Sequence, residues 1–187
     1  MSSFLIQGPQ AEPVTVDELR DWLRLDGSDQ DTMLARLITA GRMALEHATQ
    51  RRIMAETWRI TLDAWPKARI VPLPISPVQS IAAVRVYDSS GQPQLLTSDL
   101  YRLSHCGLIP RLKLEGDVPK PGIRESGIEI DVVAGYGATP EDVPGPLRMA
   151  LRLLITRWHE NRGDADPGPL PADVMALVAP YRRMRLA

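Results

Sequence analysis

The hydrophobic period of this chain changes twice, and those changes limit the fold more than any single residue does. Between residues 29 and 50, Leu34, Leu37, Ile38, Gly41, Leu45 and Ala48 recur at three- and four-residue spacing, the pattern of one buried helical stripe. Over residues 57–63 apolar and polar side chains alternate instead, which sets Trp58, Ile60 and Leu62 on one side of a strand. The helical period returns in Leu147, Ala150, Leu151, Leu154, Ile155 and Trp158. Helices at both ends with strands between predict an α+β protein: a helical bundle carrying an inserted antiparallel sheet or small sandwich, with an extended C-terminal tail.

Local signals fill in this outline. Residues 1–13 read as an extended arm. In Thr15-Val16-Asp17-Glu18 the Thr15 hydroxyl can accept a first-turn N–H while Glu18 reaches back to the cap, a capping box. Leu19, Trp22 and Leu23 share one face of the short helix it opens, and Asp26-Gly27 ends that helix. A strand within residues 78–87 enters the turn Asp88-Ser89-Ser90-Gly91 and returns over residues 94–97 as a hairpin. Residues 101–104 and 108–114 read as short strands, and 127–134 as a longer one with Ile128, Ile130 and Val132 inward. Pro146 suits the first turn of the late helix, and Gly163 its stop. The expected segments are therefore 1–56, an arm and two helices; 57–137, the β insertion; 138–163, the helix that completes the bundle; and 164–187, a tether and docking segment.

At 187 residues, folding buries roughly 70% of the unfolded chain's surface, so a core needs no metal or disulfide staple. Cys106 is the single cysteine, which excludes an intrachain disulfide or a multi-cysteine metal site and fits a reducing compartment. A net charge of −1 gives no support for a nucleic-acid surface covering the molecule. The lopsided stretch is the end, where Arg182, Arg183 and Arg185 follow Pro180 without an acid. No apolar run approaches the ~20 residues that span a bilayer, and the first residues lack a basic-then-apolar signal pattern, so neither membrane insertion nor export is expected.

No catalytic set emerges. His47, His105 and His159 sit in separate segments without metal-ligand spacing, and His159-Glu160 lacks the second histidine of a zinc-protease helix. A histidine at a helix C-terminus has a simpler role, as a cation facing the dipole. Gly135-Tyr136-Gly137 follows a strand, but Pro140 stands where a dinucleotide fingerprint needs its third glycine, so it reads as a glycine turn. Glu129 and Asp131 fall on one strand face and imitate a carboxylate pair; a solvated sheet face explains them. His105 and Cys106, as neighbours on a strand, point to opposite faces, which disfavours a nucleophile–base pair. Two alternatives stay open beside a structural role: a small hydrolase or transferase using these groups, and a nucleic-acid-binding module using the arginine end with Trp58 or Trp65. No metal and no cofactor is expected.

The tail is the segment with a partner in view. Residues 172–179 allow two helical turns, with Val174, Leu177 and Val178 on one face and Tyr181 close by. Such a piece either packs on its own domain or docks elsewhere, and eight tether residues reach roughly 25 Å when extended. Burying three aliphatic side chains and a tyrosine stabilises by on the order of 6–10 kcal/mol, against an association cost of about 4–15 kcal/mol. One tail would bind weakly, whereas a ring of tails meeting a matching ring would hold through effective concentration.

Several segments together resemble the head–tail connector (adaptor) proteins of tailed bacteriophages and gene transfer agents. They are Glu12-Pro13-Val14-Thr15, Glu56-Thr57-Trp58-Arg59-Ile60-Thr61-Leu62, Ala134-Gly135-Tyr136-Gly137, Trp158-His159-Glu160-Asn161-Arg162 and Ala179-Pro180-Tyr181-Arg182, in order along nearly the whole chain; Ala48-Thr49-Gln50-Arg51-Arg52 is a looser match. The resemblance implies a ring, typically of twelve copies, under the portal protein at the capsid vertex. Such a ring extends the DNA channel toward a tail-side neck or stopper protein, in a particle made in the host cytoplasm. It implies no catalytic residues, and DNA that passes without specific binding, which a near-neutral charge suits. Portal docking by the C-terminal segment, carried over from relatives, marks Leu177, Val178, Tyr181, Arg182 and Arg183.

Overall fold

The computed structural model describes residues 1–105, 109–161 and 169–182. Two compact units divide the chain, Met1–Gly8 with Ala55–Gly135, and Pro9–Met54 with Tyr136–Ala187. The first holds the sheets and the second the described α-helices, so the α+β expectation holds, with the sheet unit interrupting the helical one in sequence.

The helical unit contains α1 (Val16–Leu23), α2 (Asp31–Thr49), α3 (Gly145–Glu160) and α4 (Ala172–Val178). Thr15 caps α1 by accepting the Glu18 N–H at 3.1 Å. The Glu18 carboxylate is held by Arg148, 2.8 Å away on α3, and by Arg152. Arg24 takes the left-handed conformation that closes α1 (φ 54°), earlier than the predicted Asp26-Gly27 stop.

Both predicted stripes face one core. Leu34, Ile38 and Leu45 of α2 meet Leu147, Leu151, Leu154 and Ile155 of α3, and all seven are buried. Glu46 is buried too; it accepts from Arg42 at 3.3 Å and from the Ile53 N–H at 3.0 Å, while Arg42 Nε donates to Glu12 at 2.7 Å. That cluster ties the segment before α1 and the chain leaving α2 to one helix.

Gly41 explains how closely the two long helices approach. A Cβ placed there would lie 2.6 Å from Leu151 Cδ1 and 3.4 Å from Ile155 Cγ1. Gly41→Leu overpacks this contact and is expected to lower stability by about 3 kcal/mol, read as a shift of the urea midpoint. Gly41→Ala should do far less, because the nearest atom is a side-chain end and alanine regains up to ~1 kcal/mol of helix propensity.

The sheet unit contains β1 (Ser2–Gln7), β2 (Glu56–Leu62), β3 (Ile70–Pro72), β4 (Val78–Tyr87), β5 (Pro93–Leu95), β6 (Tyr101–Ser104), β7 (Arg111–Leu114) and β8 (Ile128–Ala134). A five-stranded antiparallel sheet runs β1-β2-β8-β4-β5, and a three-stranded one β3-β7-β6. Ile60 pairs with Ile130 and Ile130 with Val84, so one apolar row crosses the centre of the larger sheet. Val71, Leu73, Leu112 and Leu114 of the smaller sheet region join the same core.

Two strands differ from the sequence reading. The arm at 1–13 is in part a strand, β1, hydrogen-bonded to β2 and grouped with the sheets rather than with the helices. β3 was not anticipated, being three residues long and ending in proline.

Candidate functional site

The C-terminal segment is built onto its own unit. Val174 and Val178 are 1% and 0% exposed and belong to the core that α2 and α3 form. Pro171 precedes α4, and its carbonyl accepts the Met175 N–H at 2.8 Å, which starts the helix. After α4 the chain makes one 3-10 turn, Ala179–Tyr181. The Tyr181 ring stands edge-on to Tyr136, with centroids 6.3 Å apart and planes at 83°. Its carbonyl accepts from Arg51 Nε at 2.6 Å. Burial pushes the Tyr136 phenol up, with nearby Arg51 pulling the other way.

The five residues marked for docking therefore separate. Val178 is a core residue, 0% exposed with α4 in place. It lies there because the apolar face of α4 completes the α2–α3 groove. Leu177 and Tyr181 are half-buried against the same core, and Arg182 is exposed. Arg183 lies outside the described residues, as do most of the tether and Gly163. The residues that anchor Tyr181, namely Arg51 and Tyr136, were visible only as pieces of two separate segments. Nothing in their spacing announces that they meet 130 and 45 positions later.

No family model and no curated protein sequence matches the chain. Solved structures do. A chain in the neck of a native gene transfer agent particle, computed with C12 symmetry, is 30% identical, with 100% of this chain and 98% of that chain covered and a TM-score of 0.78. One in the neck of an empty gene transfer agent particle, computed with C6 symmetry, is 29% identical over 100% and 98%, with a TM-score of 0.83. One in the virion of a native gene transfer agent particle is 29% identical over the same shares, at 0.81. The chain belongs to the head–tail connector family.

As a head–tail connector it is a structural protein of the particle neck. Other candidate groups have structural employment in this connector. Glu129 and Asp131 do share a strand face, but it is an ion network rather than a solvated surface. Arg59 grips Asp131 with two hydrogen bonds of 2.7 and 2.9 Å and reaches Glu129 at 3.1 Å, and Arg85 donates to Asp131 at 2.5 Å. Burial pushes the Asp131 carboxyl up, yet the hydrogen bonds from Arg59 and Arg85 outweigh it and hold the group below its ordinary range. A carboxylate fixed in the charged form between two guanidiniums is a poor general acid or base.

Trp58 and Trp65, proposed as stacking groups for nucleic acid, are half-buried against the sheet core. Their indole N–H groups donate to Glu56 at 2.6 Å and to the Pro119 carbonyl at 2.9 Å. His105 is exposed, Cys106 lies outside the described residues, and His159 shares a 2.9 Å hydrogen bond with Gln30. Among the described residues, no three His, Cys, Asp or Glu side chains converge as metal ligands. No described helix is long and apolar enough to cross a membrane.

Proposed function

We propose that this connector assembles as a ring, twelve copies in number, seated on the portal protein, where it extends the DNA channel toward a tail-side neck or stopper protein. The portal contact begins at Tyr181 and runs through Arg182 and Arg183, with Leu177 at its margin. The observation that carries this reading is the division of labour along the tail. Val174 and Val178 fix α4 in the unit's own core, while Arg182 stands exposed immediately beyond it. A rigid mount with a basic end presents charge at a defined point on every copy. Guanidiniums there suit carboxylates on the portal through paired hydrogen bonds.

Each contact is small, because the apolar face of α4 is already occupied. Binding strength then comes from many copies engaging at once. The twelvefold symmetry of one neck and the sixfold symmetry of another, each containing a similar chain, fit such a ring. A net charge of −1 fits a channel through which DNA slides, since a densely basic lining would retain phosphates.

Arg182→Glu with Arg183→Glu tests the docking segment. Binding to purified portal is expected to weaken by roughly tenfold or more, about 1.4 kcal/mol for each decade, with the melting temperature unchanged because neither side chain belongs to the described core. Wild-type binding should itself weaken as salt rises. Unchanged portal affinity in the charge-reversed variant would remove these arginines from the contact.

A further inference from the structure

Most strand edges in the sheet unit are defended, and one is not. β5 spans three residues and opens on Pro93, β3 ends on Pro72, and β6 carries an exposed Arg102. Short, proline-bearing or charged edges resist pairing with another chain. β1 has none of these protections: Ser2–Gln7 contains no proline and no charge and is exposed along its whole length. One of its edges pairs with β2, and the other is the end of the sheet.

Its side chains are exposed on both faces. Phe4 lies opposite Arg59 and Leu5 opposite Trp58, so the two project to opposite sides of the sheet. Leu5 extends the apolar row of Trp58 and Val132 beyond the last strand. Phe4, Leu5 and Ile6 are 49%, 46% and 46% exposed. Together with Met1, this stretch supplies four of the seven exposed large hydrophobic residues described (the others are Trp22, Met43 and Leu95). Among the described residues, exposed apolar surface is thus concentrated on β1 and the methionine that precedes it.

We propose that β1 is the edge by which one copy of the connector grips the next in the ring. The inference rests on the ring reading above and names the surface that reading requires. Cyclic symmetry selects a second copy as the occupant. In the sixfold and twelvefold necks that contain similar chains, a ring repeats one heterologous contact, in which a patch on each subunit meets a different patch on its neighbour. Every copy must therefore present a patch its own fold leaves open, and β1 is that patch. Strand edges also give direction to the contact, since main-chain hydrogen bonds set its orientation and alternate side chains its register.

The test places p-benzoyl-phenylalanine at position 4 in the full chain, within assembled particles, and irradiates them. The expected product is a band at twice the chain's mass, with the link mapping to a residue outside 2–7 of the other copy. A link to a different particle protein, a link between two β1 strands, or no adduct from particles that contain the chain would overturn the proposal and leave the neck reading intact. Absence of the chain from particles would overturn the neck reading itself, and this proposal with it. Phe4→Lys with Ile6→Lys, checked for native circular dichroism, should cut incorporation into particles by about tenfold or more. Undiminished incorporation would also overturn the role of β1.

Discussion

Asp131→Ala is expected to destabilise the sheet unit by about 1–3 kcal/mol, less than the ~3–5 kcal/mol of a fully buried pair, because the guanidiniums left behind, Arg59 and Arg85, are 25% and 31% exposed. Asp131 is 6% exposed and sits between Arg59 and Arg85, so its loss leaves two guanidiniums facing each other with Glu129 as the remaining carboxylate partner among the described residues. The pH dependence follows from the direction of its shift. Because the folded carboxyl is held below its ordinary value, the unfolded chain binds a proton more readily. The stability it contributes is fully present above the ordinary aspartate value of about 3.9 and is lost as pH falls through the lower, folded value. Urea denaturation of the wild type should show this acid loss, and Asp131→Asn should show a shallower slope over the same range. Identical slopes would assign the acid sensitivity to other carboxylates.

What could be read from the sequence was whatever repeats. Leu34, Ile38 and Leu45 recur often enough to define the buried face of α2, and Leu147 to Ile155 do the same for α3. Ile60 and Ile130 mark β2 and β8 because each lies in a strand with one face in the core. β1 escaped because Phe4, Leu5 and Ile6 are consecutive rather than alternating, as befits a strand that no face of the unit covers. The Arg59–Asp131 pair was invisible for another reason: it depends on the β2–β8 register, which brings together residues 72 apart. Glu18 shows the limit of a local motif. Its spacing from Thr15 is that of a capping box, but two arginines on α3 claim its carboxylate. The tail was legible as a helix with one apolar face; which surface that face covers depends on a groove between two other helices.

That groove changes what a truncation can reveal about docking. Were the tail purely a docking element, a chain lacking residues 172–187 would stay folded and lose only its partner. With Val174 and Val178 buried in the unit's core, the same deletion should cost about 3–6 kcal/mol from two fully buried valines and another 0.5–1.5 kcal/mol from the Tyr136–Tyr181 contact. Against a typical domain stability of 5–15 kcal/mol, that removes much of what holds the helical unit together. Hydrogen exchange in α2 and α3 should accelerate in the long deletion and stay at the wild-type rate in a chain lacking only residues 183–187. Wild-type protection after the long deletion would mean that α4 is not part of the core. If the short deletion alone abolishes portal binding while protection is unchanged, the basic end is the docking element and α4 its mount. If the short deletion binds normally, Arg183 and the residues after it are dispensable, and docking rests on Leu177, Tyr181 and Arg182, which that chain keeps.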